Sequence, residues 1–288
     1  MATLLTVLVQ ALIISALYAL VAVGFTLIFG VGGVLNLAHG AAITIGAFAA
    51  SIAYTNWHTG VAGAVAAAVL APAVLGALLY LLIIRKFQDE PVIVMILTLG
   101  IAVAIETILL VIPSQTVRTA PVMITGTVTI GGASIQNNQF AMFGVSWLLL
   151  IGLYLWVTKT DTGRAILATS MDRKGAFLVG IDSGRINLLM WIVASALAGI
   201  AGYFLASQNG ATWDMGQMPL IISFAIVIFG GLGSIRGSVV GAYVIGTLNV
   251  LTINYVDTRL AGLVPLLVLL AVLLVRPEGL FGQEVEAS

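Results

Sequence analysis

Residues capable of acid–base or metal chemistry are sparse in this chain of 288 residues. It has 11 acidic residues, 11 basic residues, two histidines and no cysteine, so disulfides and thiolate metal sites are excluded. His39 has no carboxylate or cysteine close to it in the sequence, so we expect no metal site there. We expect no catalytic residues either, because an enzyme site needs clustered ionisable side chains.

Glu106 is the one acidic residue within a predicted membrane span. A charged carboxylate in the membrane interior costs at least ~2.5 kcal/mol, and it normally faces the bundle interior or a wet cavity. Glu106 is therefore a candidate for a translocation path. A protonated or hydrogen-bonded structural glutamate is the alternative.

Two glycine-rich segments interrupt the apolar sequence. Gly30 to Gly40 contains Asn36 and His39, which either lie on a solute path between broken helices or cap helix ends at a tight turn. Phe229 to Ser238 is flanked by the two shortest apolar runs and indicates a second broken helix. Three glycines four residues apart predict a smooth helix face, and close packing is favoured there over solute contact: Gly233, Gly237 and Gly241.

The elements that must position these residues are apolar helices. The chain is 61% hydrophobic and 8% charged, where a soluble domain has about 25% charged residues. Nine apolar runs are candidate spans: Leu4 to Phe29, Leu37 to Tyr54, Val61 to Ile84, Val92 to Ile112, Phe140 to Val157, Ile186 to Ala206, Met218 to Leu232, Val239 to Ile253 and Leu260 to Val275. We predict an all-α polytopic bundle of eight to nine spans within one domain, 1–288, with broken helices near Gly30–Gly40 and Gly230–Gly237.

Basic residues predict the orientation of the bundle. If Arg85 and Lys86 are cytoplasmic, strict alternation of spans places nine of the eleven basic residues on the cytoplasmic side. Only Arg118 and Arg259 fall on the other side. The N-terminus is then outside and the C-terminus is cytoplasmic.

Two connecting loops are long enough to fold. In the outer loop, Pro113 to Gln139, β-branched residues surround Gly131-Gly132 and predict a short β-hairpin. In the inner loop, Thr158 to Arg185, we predict one amphipathic helix from Thr162 to about Val179 that lies on the cytoplasmic surface. The apolar positions that carry this periodicity are Leu167, Met171 and Leu178.

Short motifs follow one another in a specific order along nearly the whole chain. They are Phe29-Gly30 with Asn36-Leu37-Ala38-His39-Gly40, Thr98-Leu99-Gly100, Gly163-Arg164-Ala165, Asp172-Arg173, Gly180-Ile181-Asp182, Phe229-Gly230-Gly231-Leu232-Gly233-Ser234 with Gly237, and Arg276-Pro277-Glu278-Gly279-Leu280-Phe281-Gly282. In these motifs the chain resembles the LivH group of permeases, the membrane subunits of ATP-binding-cassette importers for branched-chain amino acids and related small polar solutes. It differs from the common pattern at Ala41 and at Lys174-Gly175, and these differences bear on the solute.

The resemblance implies that this cell-membrane protein forms half of a pore. Its expected partners are a second permease (LivM-like, or another copy of itself), two cytoplasmic ATP-binding subunits, an extracytoplasmic substrate-binding protein and the lipid bilayer. No nucleic acid and no cofactor is expected, since ATP is used by the partner subunits and no phosphate-binding loop motif is present in the chain.

The resemblance also implies roles for particular residues. Loop 158–185 is the segment that couples the permease to the ATPase, through Gly163, Arg164, Asp172, Arg173, Gly180 and Asp182. Loop 113–139 is part of the docking surface for the binding protein. Thr98 and Ser234 join Asn36, His39 and Glu106 as candidates for the translocation path.

Four alternatives remain open at this stage. The first is a permease of the same group that carries urea or short amides. The second is a secondary transporter or channel driven by an ion gradient, which would need more intramembrane ionisable groups than Glu106 and His39. The third is a membrane enzyme, which the wide separation of the two histidines disfavours. The fourth is a structural membrane scaffold, which would not need the inner loop.

Overall fold

The protein is an all-α membrane protein. The computed structural model describes residues 4–111, 118–130, 133–276 and 279–281. Its helices are α1 (Leu4–Gly32), α2 (His39–Thr55), α3 (Gly60–Leu79), a π-helical segment (Tyr80–Ile84), α4 (Arg85–Phe87), α5 (Pro91–Val111), α6 (Asn137–Lys159), α7 (Asp161–Met171), α8 (Arg173–Leu178), α9 (Ser183–Asn209), α10 (Gln217–Gly230), α11 (Ile235–Tyr255), a 3-10 turn (Thr258–Leu260) and α12 (Leu263–Val275).

Six helical stretches in the described part of the chain are long and apolar enough to cross a membrane. They are Leu4–Gly32, Gly60–Phe87, Pro91–Val111, Asn137–Lys159, Ser183–Asn209 and Ile235–Tyr255. Two further apolar helices, α10 and α12, are shorter, with 14 and 13 residues. The polytopic helical class predicted from composition is thus confirmed.

Helical structure is interrupted at both glycine-rich segments. Between α1 and α2 the chain turns through Gly33, whose φ of +65° is favourable for glycine. Between α10 and α11 the turn uses Gly231 and Gly233, with φ of +100° and +84°. The prediction that Gly233 shares a helix face with Gly237 and Gly241 is wrong, because Gly233 precedes the first residue of α11.

The chain divides into two compact units. One comprises Met1–Thr26, Met123–Leu148 and Met218–Ser288, and the other comprises Leu27–Val122 and Leu149–Gln217. We call these unit 1 and unit 2.

Unit 2 is built on close approach of α2, α3 and α9 at glycines. A Cβ on Gly199 of α9 would clash with the Ala68 carbonyl oxygen of α3, and it would lie 2.6 Å from the Pro72 side chain and 3.2 Å from the Ala68 carbonyl carbon. A Cβ on Gly46 of α2 would lie 2.9 Å from the Gly199 carbonyl carbon. Small residues allow such backbone contact between membrane helices, where dispersion drives the packing.

Unit 1 holds the α10–α11 hairpin against α1. The hydroxyls of Thr26 and Ser238 are hydrogen-bonded at 2.5 Å, and the rings of Phe25 and Phe224 meet edge to face at a centroid distance of 6.0 Å. A Cβ on Gly237 would lie 2.7 Å from the carbonyl carbon of Gly230, so the turn between α10 and α11 depends on glycine.

The closing motif of the sequence completes the end of α10. The backbone N–H groups of Leu280 and Phe281 donate to the carbonyls of Phe229 and Gly230 at 2.9 and 3.0 Å. The last carbonyls of a helix have no partner within the helix, and this segment supplies two donors for them. Gly279, with φ of +78°, makes the turn that allows this approach. Pro277, Glu278 and Gly282 lie outside the described residues.

A two-stranded antiparallel sheet lies where the sequence predicts a hairpin. Strand β1 (Thr127–Ile130) pairs with β2 (Ala133–Gln136), and Val128 is opposite Ile135. The Thr6 hydroxyl of α1 donates to the Ile130 carbonyl at 3.2 Å. The predicted Gly131-Gly132 turn lies outside the described residues, as does the start of the loop at 112–117.

The inner loop forms two helices, so the prediction of one continuous helix from Thr162 to Val179 is wrong. Asp172 has an extended backbone (φ −150°, ψ 105°) between α7 and α8, and its side chain accepts a hydrogen bond from the Lys174 N–H at 2.9 Å. Aspartate is unfavourable inside a helix and favourable at an N-cap, because its side chain accepts hydrogen bonds from nearby backbone N–H groups. Asp172 therefore ends α7 and begins α8. The residues that α7 buries are Gly163, Ile166 and Thr169, whereas the predicted apolar positions are exposed.

Candidate functional site

Asn36 and His39 lie at the helix break in unit 2 and are buried. The Asn36 side-chain oxygen accepts a hydrogen bond from the Ala38 N–H at 3.0 Å, and its carbonyl accepts one from the His39 N–H at 3.3 Å. Asn36 therefore closes the turn from which α2 begins. His39 is the first residue of α2.

Thr98 of α5 contacts the same break. Its hydroxyl accepts a hydrogen bond from the Leu37 N–H at 3.1 Å and donates to the Met95 carbonyl of its own helix at 3.0 Å. The structure thus brings Asn36, His39 and Thr98, which are 62 residues apart at most, to one place in unit 2. Backbone groups left unpaired by a broken helix need partners inside a membrane, and Asn36 and Thr98 provide them.

Glu106 lies farther along α5. It is half-buried, and one of its carboxylate oxygens accepts a hydrogen bond from the Gln217 amide at 2.8 Å. Glu106 precedes the last residue of α5 by five positions, which places it about 7.5 Å from that helix end. The carboxylate therefore lies midway between the centre and the C-terminal end of α5, and its partner Gln217 is the first residue of α10.

Ser234 belongs to unit 1 and acts as the N-cap of α11. Its hydroxyl accepts a hydrogen bond from the Gly237 N–H at 3.0 Å. Ser234 lies in a different unit from the other four candidates for the path. Its cap geometry is sufficient to account for a serine at this position.

The first part of the inner loop folds back sharply on α6. Thr160 caps α7 by accepting a hydrogen bond from the Gly163 N–H at 3.1 Å. A Cβ on Gly163 would lie 2.5 Å from the Val157 carbonyl carbon, so only glycine fits this turn. Arg164 then projects outward and forms an ion pair with Asp161, and both side chains are largely exposed.

The second part of the inner loop is held by carboxylates. The Asp182 side chain caps α9 by accepting hydrogen bonds from the Gly184 and Arg185 N–H groups at 3.0 and 3.2 Å. Gly180, with φ of +87°, makes the turn between α8 and α9. The Arg173 guanidinium reaches across to Asp89, in the connection between α4 and α5, at 3.1 Å.

The inner loop presents large apolar side chains to its surroundings. Met171 is 87% exposed, Phe177 72% and Leu178 83%. Isolated exposed apolar residues are ordinary, but a cluster of them beside charged residues is typical of a protein or membrane contact.

Three residues in these arrangements were not singled out in the sequence analysis: Gln217, Asp89 and Thr160. Gln217 begins α10 and Asp89 lies in a connection, and packing sets the partners of both. Thr160 had a readable signal, since threonine is a preferred residue at the N-cap of a helix.

Among the described ranges, no group of three or more His, Asp or Glu residues is placed to hold a metal ion. The interrupted helices, the buried polar residues at the interruption and the exposed inner loop describe a polytopic helical protein with the features of a transport subunit.

The chain belongs to the family described as branched-chain amino acid transport system / permease component, whose sequence model matches residues 7–273. It is therefore the permease subunit of an ATP-binding-cassette importer, it lies in the cell membrane, and the predicted resemblance to LivH-type permeases is confirmed. A subunit of this kind works with ATP-binding and substrate-binding partners.

Three relatives match the chain over nearly its whole length. The high-affinity branched-chain amino acid transport system permease protein BraD of Pseudomonas aeruginosa is 28% identical over 97% of this chain and 96% of its own length. LivH of Escherichia coli K12 is 28% identical over 95% and 94%. The probable branched-chain amino acid transport permease protein LivH of Methanocaldococcus jannaschii is 31% identical over 94% and 90%. No solved structure matches the chain significantly.

Proposed function

We propose that this permease forms half of the translocation path of an importer for branched-chain amino acids. The observation that carries the proposal is the likeness, over at least 94% of this chain, to permeases named for branched-chain amino acid transport. A path with few charges also suits a zwitterion with an apolar side chain.

Eight or nine crossings, with the N-terminus outside and the C-terminus in the cytoplasm, complete this proposal. Six helices are long enough to cross the membrane. The proposal needs at least two further crossings from three shorter helices, α2, α10 and α12, which have 17, 14 and 13 residues. The distribution of Lys and Arg supports a cytoplasmic inner loop.

The inner loop is the surface on which an ATPase docks. Exposed Met171, Phe177 and Leu178 offer apolar contact area, and Arg164 offers an outward charge beside them. The caps at Thr160, Asp172 and Asp182 fix the directions of α7, α8 and α9, so a push on α8 is transmitted to the 27-residue span α9. Transport then follows from a shift between two states that nucleotide and solute favour differently.

The partners in this proposal are two ATP-binding subunits, a second permease and a binding protein that docks near the β1–β2 hairpin. The exposed Thr127, Val128 and Thr129 of β1 support docking at the hairpin. Glu106 with Gln217 supplies a carboxylate and an amide for a polar solute entering the path.

Reconstitution of the permease with its ATPase and binding protein tests the proposal. We expect uptake of leucine, isoleucine or valine that requires ATP and continues when the proton gradient is collapsed. Uptake of urea or short amides instead would contradict the choice of solute. Uptake that needs a proton gradient and no ATP would contradict the importer assignment for this chain.

Coupling is tested in the same proteoliposomes with Arg164→Ala. We expect at least a fivefold fall in uptake per ATP hydrolysed, because the outward guanidinium contacts the ATPase. Asp161→Asn is the matched control, since it breaks the same ion pair and leaves Arg164 in place. Equal losses in both variants would indicate that the ion pair, and not the ATPase contact, matters.

A further inference from the structure

A cavity of about 700 Å³ opens in unit 2 where the membrane-spanning stretch Gly60–Phe87 ends. It is lined by Tyr80, Arg85, Gln88, Asp89, Arg173, Lys174, Phe177, Leu178, Asp182, Ser183 and Gly184. A second cavity of about 260 Å³ shares Tyr80, Arg85, Asp182 and Gly184 with it. The larger volume is within the range of small-molecule sites.

Three polar atoms on the lining are buried and have no hydrogen-bond partner among the described residues. They are the Tyr80 hydroxyl, the Ser183 hydroxyl and the Gln88 side-chain oxygen. Tyr80 is 2% exposed and Ser183 is 7% exposed. A buried hydroxyl without a partner costs about 1–3 kcal/mol, so two at one cavity indicate an occupant that accepts hydrogen bonds.

The charges around the cavity favour an anion. Asp89 is paired with Arg173 at 3.1 Å, and Asp182 is paired with Arg185 at 3.0 Å. Within the part of the chain that the structure describes, Arg85 and Lys174 form no ion pair. The lining therefore offers a guanidinium, an ammonium and two hydroxyl donors, a set that suits phosphate oxygens.

The backbone beside the cavity departs from a regular α-helix. Tyr80 begins a five-residue π-helical segment, Tyr80–Ile84, and Arg85 follows that segment directly. π-Helical turns inside α-helices frequently occur at functional sites. The first turn of α9 borders the same hydroxyl, since a Cβ on Gly184 would lie 3.8 Å from the Tyr80 oxygen.

We propose that this cavity binds a phosphate group, presented by an anionic lipid headgroup or by free phosphate. The cavity lies at the end of a membrane-spanning stretch, and lipid headgroups lie at the ends of such stretches. Basic pockets between membrane helices bind these headgroups. Because α8 and the start of α9 both line the cavity, the occupant joins the inner loop to the end of the span Gly60–Phe87. This site is separate from the solute path, and the proposal does not depend on which solute is carried. Phe177 and Leu178 of its lining also belong to the surface proposed for the ATPase, so the test is made on the permease without its ATPase.

The test uses the purified full-length chain in detergent, stripped of lipid, with thermal unfolding as the readout. Short-chain phosphatidylglycerol, short-chain phosphatidylcholine and inorganic phosphate are titrated separately. A rise in Tm with phosphatidylglycerol alone assigns a lipid headgroup. A rise with inorganic phosphate as well assigns a site for the free anion. No rise with any of the three overturns the proposal.

Variants distinguish this site from non-specific charge attraction. Tyr80→Phe and Lys174→Gln should each weaken binding about tenfold, which is the effect of losing one hydrogen bond to a charged oxygen. Lys86→Gln, next to Arg85 and absent from the lining, is the matched control and should change binding less than twofold. Equal effects of Lys86→Gln and Lys174→Gln would overturn the proposal.

Tyr80→Phe has a second readout that a purely structural hydroxyl would not give. Removing an unpartnered buried hydroxyl should leave the Tm of the ligand-free protein unchanged or higher, while the ligand-induced rise is lost. A lower Tm without ligand would show that the hydroxyl has a structural partner, against the proposal. If Lys174→Gln still binds phosphate but no longer binds the ATPase, the proposal is also overturned. Lys174 would then pair with an acidic side chain of the ATPase.

Discussion

Glu106 combines a carboxylate, a neutral amide partner and a position midway between the centre and the C-terminal end of its helix. A carboxylate away from the centre of a membrane span costs less than one at the centre. The Gln217 amide satisfies one of its oxygens at 2.8 Å and leaves acceptor capacity for a solute.

Glu106→Gln should raise the KM of uptake about five- to tenfold and leave expression unchanged. Glutamine keeps an acceptor for Gln217 and removes only the charge that would attract the ammonium group of an amino acid. Transport assays over a range of solute concentrations measure this. Thr107→Val is the control, because the exposed Thr107 hydroxyl bonds only its own helix at Val103. An unchanged KM in Glu106→Gln would exclude Glu106 from solute recognition.

Asp172 separates α7 from α8, and its cap explains its identity without any contact outside the chain. Asp172→Ala should destabilise α8 by about 1 kcal/mol and lower coupled uptake severalfold, because alanine cannot accept the Lys174 hydrogen bond. Limited proteolysis of the inner loop, together with uptake per ATP, measures both effects.

Asp172→Asn keeps the cap and removes the charge. We therefore expect it to behave like the unaltered protein in both measurements. If Asp172→Asn fails as severely as Asp172→Ala, the charge itself makes a contact with the ATPase.

At the scale of elements, unit 2 depends on backbone contact between α2, α3 and α9. Gly199→Ala should lower the free energy of unfolding by about 1–3 kcal/mol, because its Cβ would meet the Ala68 backbone, which cannot move aside. Thermal unfolding of the purified chain measures this.

Gly152→Ala in α6 is the matched control for Gly199→Ala. Apart from the neighbouring backbone of α6, no atom of the described residues lies within 4 Å of a Cβ at Gly152, and alanine is the better helix former by about 1 kcal/mol. We expect equal or greater stability. Similar losses in both variants would mean that helix glycines matter for flexibility and not for close packing.

At the scale of the whole molecule, orientation follows from the asymmetry of basic residues. The absence of cysteine in the natural sequence makes single-cysteine labelling direct. In intact cells, Thr129→Cys in β1 should react with a membrane-impermeant maleimide, and Ser170→Cys in α7 should react only after permeabilisation. Both positions are exposed in this chain, so the experiment is made in cells that lack the ATPase and the binding protein. The reverse pattern would invert the proposed topology.

The sequence by itself determined the membrane class, the apolar runs, the two helix breaks and the family. Hydropathy and glycine content can be read locally from the sequence. They predict where helices span and break, because each span in a bilayer must form hydrogen bonds to its own backbone groups. The structure of the inner loop was harder to predict from the sequence. Amphipathic periodicity predicted one helix, whereas the loop forms two helices because the side chain of Asp172 caps α8.

Only the tertiary structure decided which distant residues meet. Glu106 finds Gln217 across 111 positions of sequence, and Leu280 supplies a donor to Phe229 at the end of α10. The cavity that joins Tyr80 to Ser183 likewise has no signature in either segment. Such contacts depend on helix packing, which small residues permit and which hydropathy alone does not specify.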